Sequence, residues 1–286
     1  MSLSSEFKKS LKTVDTEEIL DLVIFRPLSF IFVKLIYNTS ITPNQISIVA
    51  LFFGILSGVL YGFAEYNFFV LASLSFFICN TLDCMDGQLA RLKKNGTKIG
   101  RVIDGFIDYL TSISVFLGLG FAMTFITGNA GYSWLLTIAA GASKAIQNMF
   151  FDQYRNLYLE HVYQKASGLD DEIEEYSAEK ERLKNINGRY LEKFLISMYL
   201  SYSRFQKNTS KHVKLNVTPE TYKSENKLLI RLWSWIGSTT HMVALIVFSL
   251  LNRIDLYLIL TVTLGNFIFV LLLLWQKSVN KKLLEK

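Results

Sequence analysis

Cysteine, histidine and proline are scarce in this chain: two, three and three among 286 residues. Cys79 and Cys84 stand five apart, which on a helix puts them on different faces, so they build no disulfide framework. His161, His212 and His241 show no metal-ligand spacing, which leaves a zinc site without support. Pro27, Pro43 and Pro219 all fall outside the long apolar stretches. There is no internal repeat, phosphate-binding glycine loop or dinucleotide fingerprint. The N-terminus lacks the short apolar stretch, basic start and small-residue cleavage site of a signal peptide, so none is expected. A large excess of one charge is also missing. The net charge of +6 suits an anionic lipid surface, without nucleic acid as a partner.

Apolar residues, in contrast, make up 51% of the chain, with 22 phenylalanines. A membrane-crossing helix needs about 20 mostly apolar residues. Six candidates meet or approach this: 46–62, 67–82, 102–127, 132–151, 235–250 and 254–275. The expected fold is therefore all-α, a polytopic membrane protein of six transmembrane helices with an N-terminal amphipathic interfacial helix. That helix is read at 16–38, where Leu20, Ile24, Leu28, Ile31 and Phe32 recur among polar residues and Pro27 marks a kink or a fresh start. Gly54, Gly58 and Gly62, four apart, predict close packing along one face of the first span. Thr42-Pro43 predicts its capped beginning.

Basic residues cluster after the second span (Arg91, Lys93, Lys94, Lys98, Arg101) and at the C-terminus (Lys277, Lys281, Lys282, Lys286). The positive-inside rule then puts both termini on the cytoplasmic side of what is expected to be a cell inner membrane. Four regions follow. Residues 1–44 are a cytoplasmic segment with the interfacial helix, and 45–155 a transmembrane core of spans one to four. Residues 156–228 are a cytoplasmic helical insertion, and 229–286 carry spans five and six with a basic tail.

The most specific feature lies in the core. Asp83-x-x-Asp86-Gly87-x-x-Ala90-Arg91 is followed by Gly100-x-x-x-Asp104-x-x-x-Asp108. An ionised carboxylate beside hydrocarbon is costly, so four of them need bound cations or a wet cavity. Asp83 and Asp86 share a helix face, as do Asp104 and Asp108. On an antiparallel helix pair all four meet at one level near the membrane surface. Oxygen ligands without Cys or His select Mg²⁺ or Mn²⁺, and two such ions would offset four carboxylates. Arg91 has three roles open: pairing with the acidic cluster, binding a phosphate, or snorkelling to headgroups. Phosphate or nucleotide binding is favoured. Asn80 could contact a nucleotide or pack between helices. Lys144, inside the fourth span, is expected to face the bundle interior, holding a phosphate or pairing with the aspartates. Arg155 could bind an anionic acceptor or anchor at headgroups.

This pattern, D-x2-D-G-x2-A-R-x8-G-x3-D-x3-D, resembles the signature of the CDP-alcohol phosphatidyltransferases at every fixed position. The likeness is good over roughly residues 40–160. It implies an enzyme of phospholipid synthesis that transfers a substituted phosphoryl group from a CDP-linked donor to an alcohol acceptor, releasing CMP. CDP-diacylglycerol is the favoured donor. A CDP-amino-alcohol donor with diacylglycerol as acceptor is the alternative. The resemblance also implies metal ligation by Asp83, Asp86, Asp104 and Asp108, with Asp108 as general base. It further implies a cytidine pocket lined by Gly87, Ala90 and Gly100, a nucleotide contact at Asn44, and a homodimer. From the residues alone, a Mg²⁺ transporter or a noncatalytic scaffold would be the answers of another class.

Overall fold

The computed structural model describes residues 3–163, 169–184, 186–209 and 217–285, and every regular element among them is helical. In chain order these are α1 (Leu3–Ser10), α2 (Arg26–Ile36), α3 (Pro43–Tyr61), α4 (Tyr66–Lys93), α5 (Lys98–Thr127) and α6 (Ala130–Tyr163). They continue with α7 (Leu169–Lys184), α8 (Tyr190–Thr209), α9 (Pro219–Trp233), α10 (Ser238–Leu250), α11 (Ile254–Leu260) and α12 (Asn266–Leu284). A 3-10 turn joins α9 to α10, and a π turn joins α11 to α12.

Five stretches are long and apolar enough to cross a bilayer: Pro43–Tyr61, Tyr66–Lys93, Ile99–Thr127, Pro219–Leu250 and Ile254–Leu284. The protein is thus an integral membrane protein of helical type. α6, with 34 residues, is not among the five, because Lys144, Gln147 and Asn148 dilute its middle. Along α5, Ile113, Leu117, Phe121 and Phe125 are exposed at every fourth position, a stripe suited to hydrocarbon.

α3 begins where a reciprocal cap forms. Gln45 N–H donates to Thr42 Oγ1, Thr42 N–H donates to Gln45 Oε1 at 2.9 Å, and Pro43 sits in the first turn. Its glycines let it lie against α5. A Cβ on Gly58 would come 2.4 Å from the Ser114 carbonyl oxygen, and one on Gly118 would come 2.0 Å from the Gly58 oxygen. Gly54 faces the Thr111 side chain in the same way, whereas Gly62 meets chiefly its own preceding turn. α4 ends at Lys94 in the left-handed conformation (φ 52°), and Thr97 Oγ1 caps α5 by accepting from Gly100 N–H at 2.9 Å. The short turn reverses the chain, and α3 packs against both α4 and α5, which do not pack closely on each other among the described residues.

The N-terminal region differs from the reading as one helix over 16–38. Helical backbone starts only at residue 19, runs through the π turn Asp21–Phe25, and continues as α2 from Arg26 with Pro27 in its first turn, where its missing N–H costs little. α2 packs Val33 beside Met85 and Leu89 of α4 and leaves Ile31, Phe32 and Leu35 exposed. Before it, residues 10–21 form a strap across several helices. Gln88 Nε2 donates to Ser10 Oγ at 3.1 Å, Arg231 Nη1 to the Glu17 carbonyl at 3.2 Å, and Tyr163 Oη to Asp15 at 2.5 Å. The Glu18 carboxylate accepts from Thr239 N–H at 3.1 Å and Thr240 N–H at 3.3 Å, capping α10 from a distant part of the chain. α7 and α8 pack Tyr176, Leu183, Leu195 and Ile196 against Val102 and Phe106 of α5. Of the expected insertion 156–228, residues 164–168, 185 and 210–216 lie outside the described residues, as does His212.

Candidate metal centre

α4 and α5 carry the acidic residues, and their common packing against α3 brings those residues to one level. One carboxylate oxygen from each of Asp83, Asp86 and Asp104 lies within 4.8 Å of the other two. Asp86 is buried, and Asp83 and Asp104 are half-buried. Asp108, one turn beyond Asp104, stands outside this trio and is exposed. It still interacts electrostatically with Asp104, Asp86 and Asp83, and with the Lys144 ammonium.

The donor set suits a hard divalent cation. Oxygens at about 2.1 Å on one octahedral Mg²⁺-sized ion lie about 3.0 Å apart in cis and about 4.2 Å apart in trans, so a trio spread over 4.8 Å would draw in by up to about 1.8 Å to close on a single ion. Asp104 Oδ1 is buried with no hydrogen-bond partner among the described residues, an acceptor available to such an ion. Three carboxylates this close repel one another when ionised, and a cation relieves that repulsion. Asp86 is fixed from the side by the Ser47 hydroxyl of α3, one turn past Asn44. Ser47 went unremarked in the sequence, where a serine in an apolar helix carries no signal of its own; only the fold brings it to Asp86.

The other candidate residues are spread around this centre. Asn44 is exposed at the start of α3 with Oδ1 close to Gly100: a Cβ on that glycine would lie 3.1 Å from it. Asn80 is buried one turn before Asp83, with Nδ2 unpartnered among the described residues. Gly87 lies under the Arg91 guanidinium, and a Cβ there would be 3.2 Å from Nη2. Ala90 is half-buried and faces the α4–α5 turn near Gly96. Arg91 donates through Nε to the Ser10 carbonyl of the strap. Lys144 is buried, donates to Ser112 Oγ at 3.2 Å and sits 5.8 Å from the Phe116 ring centroid. Ser112 is one turn from Asp108, which explains the reach of Lys144 toward that carboxylate. Arg155 pairs with Asp152 at 2.8 Å and lies over the Phe151 ring. His241 is a bonded core residue, its Nε2 2.8 Å from Gln147 Oε1.

The strap supplies groups that the sequence did not single out. Glu17 pairs with Arg26 at 3.0 Å and also accepts from Lys12 N–H at 3.0 Å. Burial pushes the Glu17 carboxyl up, but the Arg26 charge and the Lys12 N–H together outweigh it and hold the carboxyl below its usual range. Burial, then the neighbouring Asp21, pushes Glu18 up to about 8. The scarcity of apolar residues in 12–18 hid this segment, since nothing in its composition marks it as packed.

Comparison with known proteins places the chain beside a known family and a curated relative. The model of the CDP-alcohol phosphatidyltransferase family matches residues 40–161, from just before α3 to near the end of α6. Archaetidylinositol phosphate synthase of Pyrococcus horikoshii is 31% identical over 90 residues, or 30% of this chain and 44% of that protein. The chain thus spans less than half the length of the curated relative it matches.

Proposed function

We propose that the protein transfers a substituted phosphoryl group from a CDP-linked donor to an alcohol, releasing CMP, a reading supported by the match of residues 40–161 to the CDP-alcohol phosphatidyltransferase family model. The favoured donor is CDP-diacylglycerol or a similar CDP-linked lipid. The relative's name, that of a synthase of an inositol-bearing lipid phosphate, supports the lipid on the donor side. Asp83, Asp86 and Asp104 would hold the divalent ions, Mg²⁺ or Mn²⁺. When bound, such ions neutralise charge on phosphate oxygens and on the departing nucleotide.

The residues of the chain perform the rest. Asp108 accepts the proton of the acceptor hydroxyl as its oxygen bonds to the phosphorus and the bond from that phosphorus to CMP breaks. Its exposure beside the trio suits this role, since a base must be reachable by the incoming alcohol. The Ser47 hydroxyl orients Asp86, and the Lys144 ammonium lies within electrostatic reach of Asp108. Gly87, Ala90 and Gly100 leave room for the cytidine, with Asn44 and Asn80 as polar contacts at its edge. α6 crosses the bilayer as a sixth span, and α2 lies in the interface. The site and both termini then face the cytoplasm, where the basic α4–α5 turn belongs.

The observation that carries this reading is the approach of three carboxylate oxygens to within 4.8 Å inside the matched domain. The test is incubation of purified protein with labelled CDP-diacylglycerol, Mg²⁺ or Mn²⁺ and a panel of alcohols. CMP release that requires both metal and one acceptor is expected. A folded protein releasing none with any CDP-linked donor would overturn it.

A further inference from the structure

α7 and α8 lie outside the matched region, and one face of α8 is left uncovered by the described residues. Leu195, Ile196 and Leu200 point inward, packing with α7 against Val102 and Phe106 of α5. On the other side Tyr190, Leu191, Phe194, Met198 and Phe205 are all exposed. With about 3.6 residues per turn, these five fall within one arc of about 100°. Among residues 190–207 only Ser201 shares that arc. A continuous apolar stripe of this kind is a contact surface for something apolar.

Two features of the surroundings point to lipid as the covering phase. The first is continuity with a span. The hydrocarbon-facing stripe of α5, Ile113, Leu117, Phe121 and Phe125, extends one turn back to the exposed Tyr109. The Tyr109 ring meets that of Tyr202 at 6.0 Å, and Phe106 meets Phe194 at 6.4 Å. Between these contacts the chain advances about 4.5 Å along α5 but about 12 Å along α8. α8 therefore crosses the span steeply, as a helix lying along a bilayer surface does, at the end of α5 that bears Asp104 and Asp108. The second feature is charge. Arg189, Lys193, Arg204 and Lys207 stand against Glu192 alone, and Lys193 and Arg204 border the apolar arc. α7, packed on the inner face of α8, is acidic through Glu172, Glu174, Glu175, Glu179 and Glu181. An anionic membrane attracts the first helix and repels the second.

We propose that the outer face of α8 is an interfacial docking surface: it sinks into the headgroup boundary of the bilayer, with Lys193 and Arg204 against anionic lipid headgroups. α7 and α8 are then held between lipid and residues 102–109 of α5, the segment that carries Asp104 and Asp108. The assignment stands on packing and charge and does not require the phosphotransfer reading. A second copy of the chain is the competing occupant of the stripe; it would explain the apolar arc but not its basic border.

The test places a fluorophore on Met198→Cys in the full-length protein, reconstituted singly in lipid nanodiscs. Cys79 and Cys84 are buried, so wild type carried through the same labelling gives the background. Ala178→Cys, on an exposed position of α7, is the water-facing control. Brominated lipids should quench the label at 198 and spare the one at 178, with a depth profile that places residue 198 about 5–10 Å into the headgroup–acyl boundary. Exchanging phosphatidylglycerol for phosphatidylcholine should reduce the quenching at 198, and Lys193→Gln combined with Arg204→Gln should abolish that dependence on lipid charge. Quenching at 198 no greater than at 178 overturns the proposal. If the label becomes shielded only in discs loaded with two copies, the face belongs to a second chain and the proposal falls as well. Quenching that ignores lipid charge overturns the role of Lys193 and Arg204. Leu191→Cys repeats the measurement should Met198→Cys fail to give monodisperse protein.

Discussion

The crossing of α3 and α5 is tight enough that one methyl group should disturb it measurably. A Cβ on Gly118 would stand 2.0 Å from the Gly58 carbonyl oxygen, 2.9 Å from its carbon and 3.0 Å from Tyr61 Cβ. A carbon–oxygen contact normally closes at about 3.3 Å, so Gly118→Ala requires about 1.3 Å of local separation. The obstructing atoms are backbone, which cannot rotate away. Overpacking typically costs about 1–3 kcal/mol, and the upper end is expected here. The gain in helix propensity from Gly to Ala, about 1 kcal/mol, offsets only part of this. The assay is reversible unfolding in mixed micelles by detergent titration, followed by circular dichroism. Gly131→Ala is the control, because its Cβ would meet only Asn129 Oδ1 at an ordinary 3.6 Å. That variant should match or slightly exceed wild type. Equal stability of Gly118→Ala and wild type, or an equal loss in both variants, would refute the close-crossing argument.

Other expectations concern the site and the strap. Asp108→Asn should keep Mn²⁺ affinity while turnover falls at least about 100-fold, the size of a lost general base; wild-type turnover would remove Asp108 from that role. Asp83→Asn or Asp104→Asn should weaken Mn²⁺ binding itself by at least about tenfold in calorimetric titration, since each takes one ligand from the trio. Glu18 links stability to pH. Its carboxyl rises from 4.5 to about 8 on folding, so the native state holds a proton that the unfolded state has released between those values. Stability should therefore be highest near pH 4.5 and decline toward pH 8, by a few kcal/mol at most from this group. Glu18→Gln keeps an oxygen for Thr239 and Thr240 and should flatten that decline in thermal unfolding curves. Parallel curves for the two proteins would dismiss Glu18 as the source.

Local signals in the sequence were read most directly where one residue type has one physical use. Apolar runs marked the long helices, Thr42-Pro43 marked the start of α3, and glycines at every fourth position marked its packing face. The partner face on α5, with Thr111, Ser114 and Gly118, was hidden because nothing local says which helix a small-residue face will meet. Span ends were set too short at residue 82, since α4 continues as helix through its polar end to Lys93. Hydropathy reports the hydrocarbon boundary, whereas hydrogen bonding decides where a helix stops. Pro27, read as a kink or a fresh start, falls in the first turn of α2, directly after a π turn. In the candidate site, spacing grouped the aspartates by helix. It did not reveal that Asp108 stands apart from the other three or that Ser47 reaches Asp86, because both depend on helix rotation. The strap was illegible because its contacts run to α4, α6, α9 and α10, all distant in sequence.

That distance has a consequence for biosynthesis. Glu18 is made 221 residues before Thr239, the backbone group it caps. At about 5–20 residues per second, roughly 10–45 seconds separate their emergence from the ribosome. The aspartate-bearing helices are complete long before that interval ends. A nascent chain thus passes through a stage with its acidic centre assembled and its N-terminal cover still undocked, and only the last third of translation closes it.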